Sequence, residues 1–431
     1  MSFQQGLSGL NASSKALDVV GNNVANSSTV GFKSSSGHFS DVFAASLSGG
    51  AASQVGIGTT LSSVFQQFTQ GNITTTNNSL DIAINGGGFF KVTRDNSVAY
   101  TRSGQFHPDK EGYIVNDQGY KLMGYLATAT GQVVQSDPAE IRIDASNIAP
   151  QATGESLGGD AEMVLNLDSS EDVPSISPFN FNNPLSYTYS TAQTVYDTLG
   201  VDHNITYYFV KTATAGQWDV HATLDGADPQ PMGSLNFNTS GGLDSVTDSG
   251  GNVIATNVLP LPTGWAVTTG ASTPLGTTGA AATPLPNWNI DFSGTTSYSG
   301  ESTVNSQTQG GYAQGSLSSI SIGADGVILG NYSNGQTKSL AQVVLTTFPN
   351  SNGLLSMGNN LWQSSTTSGQ GLDGTPGAGS RGVLQSAAVE ESNVDLTAEL
   401  VNMITLQRNY QANAQSIKTQ DQIMQTLVNL R

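Results

Sequence analysis

Residues 391–430 read ESNVDLTAELVNMITLQRNYQANAQSIKTQDQIMQTLVNL. Leu396, Met403, Tyr410, Ile417 and Met424 recur every seven residues, and Leu400, Leu406, Ala414, Leu427 and Val428 fill intervening positions. That spacing predicts a helix with an apolar seam. Asn393 or Asp395 can cap its start, and no Gly or Pro interrupts residues 389–431. A helix of about 35 residues is roughly 50 Å long, too long for one small globule. The chain is therefore expected to end in an element of coiled-coil character.

The other terminus carries a related signal. Phe3, Leu7, Leu10, Leu17 and Val24 fall on a 3–4 spacing, with Ser14 and Gly21 as weak links. This predicts a helix of about three heptads, ending near residues 26–28, where polar residues cluster ahead of Gly31. Between the two ends the pattern changes to β. LDIAI (80–84) alternates and then breaks at Gly86-Gly87-Gly88. GYIVNDQGYKLMGYL (112–126) reads as a hairpin around Asp117-Gln118-Gly119. HNITYYFV (203–210), QWDVHATL (217–224) and VVLTTF (343–348) are further strand candidates. Residues 33–60 and 364–382 are rich in Ser and Gly and read as linkers or long loops.

Charge marks a separate middle. The 431 residues carry a net charge of −18, from 14 Lys and Arg against 32 Asp and Glu. Residues 143–337 hold 17 of those acids and a single cation, Lys211, a net charge of −16. The flanking parts sum to −2. The predicted fold class is therefore multidomain and mainly β, with α-helical termini. Residues 1–30 and 389–431 form a terminal helical domain, and 31–70 and 364–388 are linker segments. Residues 71–148 and 312–363 pair as an inner β domain, into which 149–311 is inserted as an acidic outer β domain.

Composition excludes several functions. With no cysteine there is no disulfide framework, no thiolate nucleophile and no cysteine-based metal site. The acidic balance argues against nucleic acid or anionic membrane as partners. No apolar run is long enough to span a bilayer as a helix. The first residues lack a charged n-region and a continuous apolar run, so no cleaved secretory signal is expected.

The motifs that suggest chemistry have plainer readings. Gly86-Gly87-Gly88 lacks the G-x-x-x-x-G-K-[ST] spacing and the helix start of a phosphate loop, and leads into Phe89-Phe90. A tight turn with close backbone approach fits better. His38, His107, His203 and His221 show no metal-ligand spacing, although His203 and His221 could meet across paired strands beside Asp202 or Asp219. The abundant acids sit in turn contexts such as Asp225-Gly226 and Asp325-Gly326. No G-x-S-x-G elbow occurs. No catalytic, cofactor or metal residues are expected.

Five stretches carry a family resemblance. VVGNNVANSSTVGFKSS (19–35) resembles the signature shared by flagellar rod, hook and hook-associated axial proteins. SLDIAINGGGFFKV (79–92) and YTRSGQFHPDKEGYIVNDQGYKLMGY (100–125) are similar to segments of the hook and distal-rod branch, TVYDTLGVDHNITYYF (194–209) resembles a segment of the hook outer domain, and 391–430 resembles the C-terminal signature. Length and the acidic insertion favour a hook subunit over a distal-rod protein. An extracellular β-rich adhesin is a more remote alternative. The resemblance implies a structural subunit of a flexible hollow tube, without cofactors, exported unfolded through the flagellar type III apparatus to the cell exterior. Its implied partners are further copies, a hook cap protein, the distal rod and the hook–filament junction proteins. The assembly interface is then expected at Leu7, Leu10, Leu17, Asn22, Asn23, Asn26, Gly31, Phe32, Leu396, Leu400, Met403, Tyr410, Ile417 and Met424. Flexible joints are expected at Gly369, Gly371, Gly374 and Gly377.

Overall fold

The structure is a computed structural model that describes residues 2–42, 56–144, 146–154, 161–254, 257–261 and 289–429. It forms two compact units. One comprises Met1–Ala145, Ser318–Asn331 and Thr337–Arg431, and the other Ser146–Leu317 and Tyr332–Gln336. The second is thus inserted into the first along the chain.

Helix α1 spans Ser2–Ala25 and helix α2 spans Leu396–Asn429. Asp395 caps α2, its Oδ1 accepting from the amides of Thr397 (2.9 Å) and Ala398 (3.1 Å). The two helices pack together, but not through the leucine stripe of α1. The side of α1 that touches α2 carries Gly6 and Gly9: a Cβ on Gly6 would lie 3.1 Å from Ile417, and one on Gly9 would lie 2.9 Å from the Asn413 side chain. Small residues let the backbones approach, so close packing fixes this pair more than apolar area does. Phe3 and Leu7 stay 50% and 44% exposed, and Leu10 and Leu17 are half-buried.

The stretch expected as the first linker is a hairpin, which corrects that reading of 31–70. Strand β1 (Ser35–Val42) pairs antiparallel with β2 (Gly58–Gln66). Part of the expectation, residues 43–55, lies outside the described residues. The loop end of the hairpin, where Val42 pairs with Gly58, reaches α1: Gln5 donates to the Gly56 carbonyl (2.6 Å) and the Thr59 amide to Ser8 Oγ (3.3 Å). At its other end Trp362 Nε1 donates to Gln66 Oε1 (2.6 Å).

The sheet of the first unit is assembled from separated stretches. In spatial order its middle strands are Thr337–Val343, Lys121–Leu126, Phe89–Arg94, Ser97–Thr101 and Leu361–Gln363. Ile82, Ile84, Phe90, Val92, Phe106 and Leu122 are buried around it. The hairpin expected in 112–126 is present. Asn116 Oδ1 accepts from the amides of Gln118 and Tyr120, so a side chain closes the turn between Ile114–Val115 and Lys121–Leu126.

The stretch 364–388, expected as a second linker, is a packed strap. Leu372–Gly374 pairs with Leu345–Thr347, and Val383–Ser386 pairs with Ile82–Asn85. Arg381 donates to the carbonyls of Leu345, Leu372, Asp373 and Ala378, while Lys91 binds Asp373 at 2.6 Å. The expected joints at Gly369, Gly371, Gly374 and Gly377 are corrected accordingly. Gly371 and Gly374 are close-approach positions against Thr346 and Arg381, and Gly369 and Gly377 shape turns. High glycine content here serves packing and not extension.

Among its described residues the second unit has two sheets around one core. A six-stranded antiparallel meander runs Tyr189–Tyr196, Asp202–Lys211, Gln217–Leu224, Ala227–Phe237, Leu243–Asp248 and Val253–Ile254. A smaller sheet orders Val258–Pro260, Asn289–Asp291, Ala161–Asn166 and Thr303–Thr308. Period-two alternation sends Ile205, Tyr207 and Phe209 from the first sheet, and Met163, Leu165 and Ile290 from the second, into the shared core. The unit begins and ends on neighbouring backbone, with Ile148 bridged to Gly315 and Gln151 to Tyr312.

His203 and His221 do not meet, because the register sets Tyr208 opposite His221. His203 instead lies between Asp225 (2.8 Å) and Asp197 (3.7 Å), and His221 stacks on Phe179 at 4.2 Å. Among the described residues no group of three candidate ligands could hold a metal. Burial holds the His221 imidazole below its ordinary value of 6.5, with Asp219 pulling it upward. Below about pH 6.5 the unfolded chain therefore binds a proton that the folded unit resists. This group should make the second unit lose stability on acidification, by at most about 1.4 kcal/mol per pH unit. Melting H221F and the parent from pH 7.5 to 5 checks this: the parent should fall more steeply, and parallel curves would refute it.

Candidate assembly interface

Both chain ends are anchored at one buried junction of the first unit. Gly31 begins it, in the left-handed region at φ 71°, where a Cβ would lie 2.5 Å from the Ser103 amide. Only glycine suits both the conformation and the space. Its amide donates to the Glu390 carbonyl at 2.8 Å. Phe32 follows, buried, and then Lys33, whose side chain is fully buried. Lys33 Nζ donates to Glu390 Oε1 (2.7 Å) and the Thr69 carbonyl (2.6 Å).

Arg102 completes the cluster. Its Nε lies 3.0 Å from Glu390 Oε2, and its terminal nitrogens donate to the carbonyls of Gly88 (2.6 Å) and Gly86 (2.9 Å). Gly86-Gly87-Gly88 is thus a close-approach turn whose carbonyls face a cation, the reverse of a phosphate cradle. Burial pushes both the Lys33 ammonium and the Arg102 guanidinium below their ordinary values, while Glu390 pulls each back up.

Near the end of α1, Asn23 ties the helices to the hairpin. It is 1% exposed. Its Nδ2 donates to the Ser35 carbonyl (2.8 Å) and to Glu399 Oε1 of α2 (2.9 Å), and its Oδ1 accepts from the Ser35 amide (2.9 Å). Asn393 makes a parallel tie, accepting from the Ser34 amide (2.7 Å) and donating to the Gln67 carbonyl (2.7 Å). Asn22 and Asn26 act locally, with Asn26 Nδ2 donating to the Asn22 carbonyl at 2.9 Å where α1 ends.

Beside Leu10, Leu17, Asn22 and Asn26, already placed on α1, the expected interface residues fall into three groups. Asn23, Gly31 and Phe32 are buried in the junction. Met403 and Ile417 are half-buried on the α1-facing side of α2. Leu7, Leu396, Leu400, Tyr410 and Met424 are exposed, at 44%, 45%, 44%, 38% and 61%. Lys33, Arg102 and Glu390 escape sequence reasoning. Lys33 and Arg102 stand as lone charges among small or apolar residues, in VGFKSS and YTRSGQF, but nothing in SAAVEES marks Glu390 out from its neighbour Glu391.

A long, largely solvent-facing helix, rooted with its partner in a buried junction, offers a surface for packing against other chains, and the sequence comparisons place the chain among the axial structural proteins of the flagellum. Four stretches match families of such proteins. Residues 3–33 match "Flagella basal body rod protein", 83–156 "Flagellar hook protein FlgE/F/G D1 domain", 166–312 "Flagellar basal body protein FlaE D2 domain", and 385–430 "Flagellar basal body rod FlgEFG protein C-terminal". Over the full length of both chains, 42% of residues are identical to flagellar hook protein FlgE of Escherichia coli K12, and 42% to that of Salmonella typhimurium LT2. The Treponema pallidum hook protein is 30% identical over all of this chain and 99% of its own. The solved structure of Helicobacter pylori flagellar hook protein FlgE2 covers 72% of this chain and 99% of its own, at 14% identity and a TM-score of 0.47. The chain belongs to the flagellar hook protein FlgE family, whose members are structural subunits of the hook.

Proposed function

We propose that this chain polymerises with itself into a curved hollow tube, and that the apolar surface left open on the terminal helices is the contact between copies. The observation that carries this is the outward face of the helix pair. Phe3, Leu7, Leu396, Leu400, Val401, Ile404 and Met424 are all 44% exposed or more on two adjacent helices. Surface helices normally turn such residues inward. Contacts between different patches of successive copies do not close on themselves, and so propagate as an open helix. The hook cap, distal rod and hook–filament junction proteins would meet the same surfaces at the ends of the tube.

Export through the flagellar type III channel suits a cysteine-free chain, since no disulfide has to be broken for threading. Until neighbours arrive, α2 keeps little to offset its ordering cost of about 1–2 kcal/mol per residue. Its folding would then be completed by assembly. The acidic second unit would face water, where like charge on neighbouring copies opposes lateral association with a reach of about 10 Å at 0.1 M salt.

Concentrating the pure protein with ammonium sulfate and viewing it by negative-stain microscopy tests this. Curved hollow tubes are expected, forming faster as salt screens the charge of the second unit. A chain that stays monomeric at every concentration would sink the proposal, and assembly slowed by salt would remove the repulsion from it.

A further inference from the structure

We propose that His203, in its protonated form, is a positioning residue for the two segments through which the chain enters and leaves the second unit, and that raising the pH releases them. The starting observation is two buried polar atoms that face each other without a hydrogen-bond partner. Asp197 Oδ2 and His203 Nε2 lie 3.7 Å apart, and the two side chains are 0% and 4% exposed. The other half of each group is engaged. Asp197 Oδ1 accepts from the amides of Leu199 (2.9 Å) and Val201 (2.7 Å). His203 Nδ1 lies 2.8 Å from Asp225 Oδ2, and Asp225 Oδ1 accepts from the Asn204 amide at 2.8 Å.

Charge decides between the forms of the ring. An ionised carboxylate only accepts, so Nδ1 donates to Asp225, and a neutral ring then turns the Nε2 lone pair toward Asp197. That leaves a buried carboxylate without a counter-charge, which is strongly unfavourable. A hydrogen on Nε2 converts the same contact into a buried ion pair and keeps the bond to Asp225. No other cation is at hand. Lys211, the single cation of residues 143–337, sits at the far end of the same strand and is bound to the carbonyls of Ser169 and Glu171. The adjacent Asp202 is exposed, on the opposite face of the strand. Residues 148–153 and 309–315 contain no charged side chain.

The turn that Asp197 closes carries the consequence. Gly200 lies in the left-handed region at φ 78°, where a Cβ would be 2.5 Å from Pro150 and 3.2 Å from Ala313. Just before the turn, the Thr153 amide donates to the Tyr196 carbonyl and the Tyr196 amide to Thr153 Oγ1, both at 3.0 Å. Thr153 Oγ1 donates in turn to Gln309 Oε1 at 2.8 Å. The turn therefore braces the entering segment and the leaving one, which are bridged to each other at Gln151 and Tyr312. Imidazoles change charge between about pH 5 and 8. The ion pair is present on the acid side of that change and is lost as the ring gives up its second proton. The turn and the segments it braces then open more readily.

The device lies wholly within the second unit, so the full-length monomer tests it independently of assembly. Ring-nitrogen NMR of chain labelled with nitrogen-15 histidine reports which ring atoms carry hydrogen. Amide exchange, corrected for its intrinsic pH dependence, reports the brace. At pH 6 both His203 nitrogens should carry hydrogen. Between pH 6 and 8.5 the amides of Thr153, Leu199 and Val201 should come to exchange about tenfold faster or more, as for a lost buried ion pair. The strand Leu243–Asp248 is the internal control and should keep its protection. D197N sets an amide donor opposite Nε2, so its ring should carry hydrogen on Nδ1 alone and its exchange should no longer depend on pH. A parent with Nε2 bare at pH 6 overturns the proposal, a trapped water then bridging the two atoms. So does flat exchange in the parent, or the parent's pH dependence persisting in D197N. Should D197N fail to fold, the parent's ring spectrum and exchange decide by themselves.

Discussion

Removing residues 396–431 should abolish tube formation while leaving both β units folded. Helix α2 has two sides with different contacts. Its inward side fills the groove beside Gly6 and Gly9, and its Glu399 takes one hydrogen bond from the buried Asn23. Its outward side supplies Leu396, Leu400, Val401, Ile404 and Met424, most of the exposed apolar surface on the helix pair. Truncation deletes that surface and uncovers the glycine face of α1, which has little to bury. A short helix that loses its main packing partner is marginal in water, so α1 should fray, held only by its ties to the hairpin through Gln5, Ser8 and Asn23. The buried cluster at Glu390 and the strand Ala388–Glu390 lie before the cut and remain. Negative-stain microscopy and sedimentation report assembly, and near-ultraviolet dichroism reports the cores. Tubes from the shortened chain would falsify the assignment of α2 as the polymerising element.

The largest effect of a single residue should come from Gly104→Ala. Ile82 donates its amide to the Gly104 carbonyl at 2.9 Å, and Gly104 lies so close that an added Cβ would overlap the Ile82 carbonyl. The obstacle is backbone in the buried strand Ile82–Asn85, so no rotamer change relieves it. The aromatic pair Phe90 and Phe106 packs edge to face beside it, with centroids 5.4 Å apart. A methyl group forced into such packing costs about 1–3 kcal/mol, and a backbone collision adds to that. The substitution should lower stability by about 4 kcal/mol or more, enough to unfold many domains. Denaturant unfolding of the first unit measures it. A midpoint within error of the parent would show that the strand Ile82–Asn85 and the stretch carrying Gly104 part easily and that the close approach is incidental.

The sequence was informative where the physics is local. Heptads of apolar residues name α2, because a helix repeats itself every few residues. The turn at 116–120 is legible because a single Asn side chain closes it. Linker composition misled for a reason that can be named. Ser, Thr and Gly are compatible with strands whose bonds are mostly backbone to backbone, as in β1 and β2, and a strap such as 364–388 is pinned by Arg381 from within. The leucine stripe of α1 was visible, but not the side it faces, since the neighbouring helix selects the glycines. The cluster of Lys33, Arg102 and Glu390 leaves no periodic pattern, and nothing in the sequence pairs its members. Its members meet only after two strands and the C-terminal strap have been placed.

The paired entry and exit of the second unit has a consequence for how such a chain can vary. With Ile148 held against Gly315, and Gln151 against Tyr312, the host frame sees an insertion whose two ends are already side by side. Whatever lies between them can lengthen, shorten or change its surface without altering the gap that the frame must span, because loop closure depends only weakly on what is enclosed. The acidic half of the molecule is in that sense a cassette. It is free to diverge in sequence and size, while the parts that root the helices are held to the ångström.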